Sequence, residues 1–114
     1  ILLNNFKYFE KKMRVLKLLT NTYNRELGYE NSSKHLYRIE VLDNQKFIEN
    51  MKRVGIVCGV HYSALHLNKI YNNGIKYNCP KSEKIQKRTV SLPMNEKLSF
   101  FEMEYIIDKV KEFI

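Results

Sequence analysis

The chain has 114 residues, 44% hydrophobic and 28% charged, enough apolar material for one packed domain without disulfide or metal staples. No apolar run approaches the roughly 18 residues of a membrane span, and Asn4, Asn5, Lys7 and Lys11 interrupt the first apolar residues, unlike a signal peptide. Two cysteines, Cys58 and Cys79, make no disulfide framework, so a reducing cytoplasm is the expected location, and the net charge of +8 favours anionic partners.

Residues 1–27 carry apolar side chains at three- and four-residue steps, from Leu2, Leu3 and Phe6 through Phe9, Met13 and Leu16 to Tyr23 and Leu27. This spacing predicts one long amphipathic helix stopped by Gly28. Such a helix is roughly 40 Å long, whereas a domain of about this size has a radius of gyration of roughly 13 Å. The first turns are therefore expected to overhang the core, leaving Leu2, Leu3 and Phe6 exposed as a partner surface. With the chain beginning at Ile1, the overhang suggests a fragment of a longer protein.

Asn31-Ser32-Ser33 reads as a turn. In His35–Leu42, Tyr37, Ile39 and Val41 alternate with Arg38 and Glu40, the pattern of a half-buried strand, with His35 structural at its start. Asp43 is placed to cap a helix that buries Phe47, Ile48, Met51 and Val54 and ends at Gly55. Ile56–Val60 is short and apolar, and reads as a central strand. No regular period follows from His61 to Cys79, apart from a helical turn expected at His66–Tyr71; irregular connections of this length are more often functional than idle.

Pro80 suits the first position of a basic helix through Arg88. Half of the net charge lies in residues 75–90, on Lys76, Lys81, Lys84, Lys87 and Arg88. A patch of this kind attracts phosphates, or is simply a solvated helix face. Thr89–Leu92 reads as a strand ended by Pro93, and Ser99-x-x-Glu102 as a capping box with Leu98 and Met103 as its hydrophobic staple. The last helix buries Met103, Ile106, Ile107, Val110 and Phe113. The expected fold is α+β: a small three- to four-stranded sheet covered by helices, with a long N-terminal helix.

Chemistry-bearing residues concentrate in Gly55–His66, G-I-V-C-G-V-H-Y-S-A-L-H. The spacing C-x2-H-x4-H-x12-C across Cys58, His61, His66 and Cys79 matches no usual zinc site. A Cys58 nucleophile paired with His61 lacks a third, orienting group. His61 and Tyr62 suit ligand binding better, since both donate hydrogen bonds and they stand where a strand exits into a long loop; packing of the loop is the competing role. No Gly-rich phosphate loop and no carboxylate pair suited to acid–base work is present.

Several pieces in order resemble the C-terminal domain of the DegT/DnrJ/EryC1/StrS aminotransferases, sugar-nucleotide aminotransferases that use pyridoxal phosphate. They are His35-Leu36-Tyr37, Gly55-Ile56, Val60-His61-Tyr62, Leu65-His66-Leu67, Tyr71, Pro80, Ser91-Leu92-Pro93 and Leu98-Ser99-x-x-Glu102. Ala64 and Lys69 stand where many members have proline. The resemblance implies the small domain of a fold-type I enzyme, with residues 1–30 as a connecting helix and 31–114 as the domain. It implies pyridoxal 5'-phosphate in the intact protein, bound through a lysine of a large N-terminal domain absent from this chain. No cofactor and no activity are then expected of the fragment alone. It further implies a homodimer, a nucleotide-sugar substrate and an amino-acid donor such as glutamate, with no nucleic acid and no membrane. His61, Tyr62 and His66 become the substrate-binding residues, and none is catalytic. Two other classes stay open: a small basic module binding nucleic acid through 76–88, and an interaction domain dimerising through its first helix.

Overall fold

Asp43 caps a helix: its carboxylate Oδ1 accepts the Lys46 N–H at 3.2 Å, satisfying one of the donors a helix leaves unpaired at its start. The computed structural model describes residues 2–15 and 36–114. His35, the turn at 31–33 and the expected continuation of the first helix to Gly28 lie outside them. The described elements are α1 (Leu2–Val15), β1 (Tyr37–Glu40), α2 (Asn44–Arg53), a 3-10 turn (Leu65–Leu67), α3 (Lys69–Asn72), α4 (Pro80–Arg88), β2 (Thr89–Leu92) and α5 (Phe100–Phe113).

Local chemistry sets most of these boundaries. Gly55, just beyond α2, has φ +86°, a left-handed conformation that ends helices and that glycine alone adopts without strain. Pro80 occupies the first turn of α4. At α5 the capping box is complete: Ser99 Oγ accepts the Glu102 N–H at 3.1 Å, and Glu102 Oε2 accepts the Ser99 N–H at 2.9 Å.

β1 and β2 pair antiparallel, Tyr37 opposite Leu92 and Glu40 opposite Thr89. The described sheet has two strands rather than three or four. The stretch expected as a central strand, Ile56–Val60, contributes a single bridge: Gly59 and Ser91 exchange both backbone hydrogen bonds, at 3.1 and 2.7 Å. Ile56 enters the core, but Val57 is 77% exposed, so this segment has no row of buried side chains to extend the pairing. β2, buried at all four positions, is the central element instead.

The core lies between the sheet and helices α1, α2 and α5. Tyr37 is fully buried, its ring edge-on to Phe6 and Phe9 with centroids 5.0 and 5.5 Å away. The expected overhang is thereby corrected at Phe6, which is 2% exposed. A length argument took the helix as a free rod, whereas burying two aromatic rings at about 2 kcal/mol each draws α1 onto the sheet. The Tyr37 hydroxyl donates to Glu10 Oε1 at 2.8 Å, and Lys12 approaches Glu104 of α5 at 3.9 Å. α1 is therefore tied to both β1 and α5. No helix among the described residues is long and apolar enough to cross a membrane.

Candidate functional site

Beyond Gly59 the chain leaves the sheet, and the next residues hold the histidines and tyrosine singled out in the sequence. The His61 ring folds back on the Gly59 backbone; a Cβ on that glycine would stand 3.2 Å from Cε1. Its Nδ1 is buried without a hydrogen-bond partner. The His61–Tyr62 peptide is cis, and the two rings meet edge to face with centroids 5.1 Å apart. Tyr62 is 74% exposed. His61 and Tyr62 thus form one contiguous unit, the tyrosine outermost.

His66 turns to a different neighbour. Its side chain is 10% exposed, and Nε2 lies 3.7 Å from Glu83 Oε1 on α4. Its carbonyl accepts the Asn72 side-chain amide at 3.1 Å. With Leu65, Tyr71, Tyr77, Cys79 and Ser82, His66 lines a hollow of about 390 Å³ between the loop and the start of α4. A wider groove of about 720 Å³ opens elsewhere, between the Gly55–Val57 stretch and the first turns of α5.

Two residues of the basic helix carried no flag in the sequence. Glu83, its one acid, faces His66. Gln86, three residues on and so on the same helix face, accepts the Ala64 backbone N–H through Oε1. An acid and an amide at this spacing amid lysines were the available signal. The patch itself is smaller than its composition suggests, because Arg88 is engaged by Glu40 at 3.2 Å and by the Val41 carbonyl at 3.3 Å.

Cys58 packs against the core, and burial pushes its thiol up to about 11. A thiol held protonated at neutral pH is a poor nucleophile. Among the described residues, no three His, Cys, Asp or Glu side chains converge as a metal site. The described lysines are exposed or half-buried on the surface. A Schiff-base lysine needs a desolvated pocket to lose its proton near neutral pH, and none of the described lysines stands in one within this chain.

An irregular histidine–tyrosine loop thus leaves the sheet of a small α+β unit just after the Gly59 bridge. The pattern of the DegT/DnrJ/EryC1/StrS aminotransferase family matches residues 3–111, and the chain belongs to that family. Its members are PLP-dependent. Spr1654 of Streptococcus pneumoniae, assigned as a sugar aminotransferase, matches in its PMP-form with 34% identity and a TM-score of 0.68, over 72% of this chain and 22% of that one. PseC of Helicobacter pylori, an aminotransferase involved in the biosynthesis of pseudoaminic acid, shares the fold at a TM-score of 0.83 with 19% identity, over 98% of this chain and 31% of its own. An uncharacterised protein of Methanocaldococcus jannaschii is 28% identical over 89 residues, 70% of this chain and 23% of the relative. The chain thus spans between about a fifth and a third of the length of these relatives.

Proposed function

We propose that the chain is the C-terminal small domain of a pyridoxal-phosphate-dependent aminotransferase that passes an amino group from an amino acid, glutamate, to a keto-sugar nucleotide. Residues 1–30 are the connecting segment and 31–114 the domain. The cofactor, its lysine and most of the catalytic machinery belong to the larger part of the protein. The protein works as a cytoplasmic homodimer.

The observation that carries this reading is the His61–Tyr62 unit, an exposed phenol edge to face with a half-buried imidazole at the point where the chain leaves the sheet. Both rings offer hydrogen bonds to a sugar hydroxyl or a diphosphate oxygen. His66, turned to Glu83, supports the loop from behind. The family match supplies the reaction class.

His61→Phe and Tyr62→Phe in the intact protein test the assignment. Each is expected to raise KM for the keto-sugar nucleotide about tenfold, the effect of losing one good hydrogen bond to a charged or polar ligand group. Unchanged KM in both would sink it. The fragment alone is expected to show no transamination, and borohydride is expected to trap no cofactor on it. A nucleic-acid role is not favoured: Arg88 is occupied structurally, which leaves scattered lysines with Tyr77 as the one aromatic among them.

A further inference from the structure

The geometry points to Gln86 as the positioning residue that fixes the His61–His66 loop against the body of the domain, and hence sets where His61 and Tyr62 stand. This rests on the reading of that pair as substrate-facing. Three observations lead to it.

The loop's tie to α4 is a side chain reaching a backbone group. Gln86 Oε1 accepts the N–H of Ala64, a residue 7% exposed. The bond falls between the Gly59–Ser91 bridge, where the chain leaves the sheet, and the 3-10 turn at Leu65–Leu67. A buried backbone N–H needs a partner, so the loop settles wherever the glutamine amide holds it.

Gln86 is itself held. Asn44, 2% exposed at the first position of α2, donates from Nδ2 to the Gln86 carbonyl at 2.6 Å and to the Thr89 carbonyl at 3.0 Å. Those carbonyls lie at the C-terminal end of α4, where helix acceptors lack internal partners. A relay results: α2 fixes the end of α4, α4 aims Gln86, and Gln86 holds Ala64 two residues beyond Tyr62.

The same helix face meets the loop a second time. Glu83 lies opposite His66 at 3.7 Å, on the far side of Ala64 from His61 and Tyr62. Two contacts from residues three apart define a direction as well as a position for the segment between them. Positioning of this kind matters because small displacements of binding groups cost disproportionately in a preorganised site.

The test uses the intact enzyme and compares Gln86→Leu, which removes the acceptor, with Gln86→Glu, which keeps an oxygen at the same reach. Gln86→Leu is expected to raise KM for the keto-sugar nucleotide about tenfold. The half-reaction with the amino donor, followed by the cofactor's absorbance, is expected to stay unchanged. Gln86→Glu is expected to remain within about twofold of the parent on both measures. Gln86→Met, of similar length and without the amide, carries the comparison if the leucine variant does not fold.

An unchanged sugar-nucleotide KM in Gln86→Leu, alongside raised values in His61→Phe or Tyr62→Phe, overturns the role of Gln86 and leaves the substrate-facing reading intact. Unchanged values in all of these variants overturn both. Equal losses in both half-reactions for Leu, Met and Glu alike assign Gln86 to folding and overturn the positioning role.

Discussion

His61 lies so close on Gly59 that a methyl group would fit between them only if the ring gave way by a few tenths of an ångström. A Cβ at position 59 would stand 3.2 Å from His61 Cε1 and 3.8 Å from Nδ1. The glycine is there for close approach, and the imidazole covers the one residue that bridges this segment to β2.

Gly59→Ala is therefore expected to push the His61 ring outward by a few tenths of an ångström and to tilt Tyr62 with it. The ring is half-buried and can yield, so the stability cost should sit at the low end for overpacking, about 1 kcal/mol. The ring resonances of His61 in the intact protein report the shift directly. Unchanged chemical shifts would show that the contact is looser than the geometry describes.

Phe9 tests the placement of α1. Its side chain is fully buried against Tyr37, so Phe9→Ala should destabilise the domain by about 3–5 kcal/mol. Lys11→Ala, at an exposed position of the same helix, should stay within about 0.5 kcal/mol. Hydrogen exchange at the amides of β1 and β2 separates the two outcomes. Similar exchange in both variants would return α1 to the status of an overhanging arm.

What was legible in the sequence was the chemistry that acts within a few residues. Asp43, Gly55, Pro80 and the Ser99–Glu102 pair each mark a boundary that the structure places where the sequence put it, because caps and turns are decided by nearest neighbours. Alternation in Tyr37–Val41 likewise survived, since one face of that strand is buried. The failures are tertiary. Ile56–Val60 has the composition of a central strand, but pairing depends on what lies alongside, and β2 meets it at one residue. Phe6 was expected in solvent because helix length was weighed without the sheet that receives it. In the candidate site, His61 and Tyr62 were visible as adjacent residues at a strand's exit. The separate orientation of His66 and the reach of Gln86 to Ala64, across 22 positions, depend on how α4 docks.

The capping box of α5 gives a local test. Ser99→Ala removes the acceptor for the Glu102 N–H and loosens the reciprocal bond. The expected cost is about 1 kcal/mol, or roughly fivefold faster amide exchange in the first turn of α5 where that turn opens locally. Ser99→Asp, which retains an acceptor at the cap, should lose little. Equal protection in the alanine variant would mean that packing of Met103 and Ile106, both buried, holds the turn unaided.

Cys58 yields a prediction in pH. Burial disfavours the thiolate and moves the group from 9.0 to about 11 in the folded protein. Iodoacetamide should therefore label Cys58 slowly at pH 8, with the rate rising until the pH approaches about 11. The folded state holds the proton more tightly than the unfolded chain does. Its stability is thus unaffected by this group below pH 9.0, and declines as the pH rises from there through about 11. Lysines and tyrosines titrate over the same range, so the quantity to measure is the difference between the parent and Cys58→Ala. The alanine variant should lose less stability between pH 9 and 11. Coincident alkaline profiles, or fast labelling at pH 8, would place the thiol in water rather than against the core.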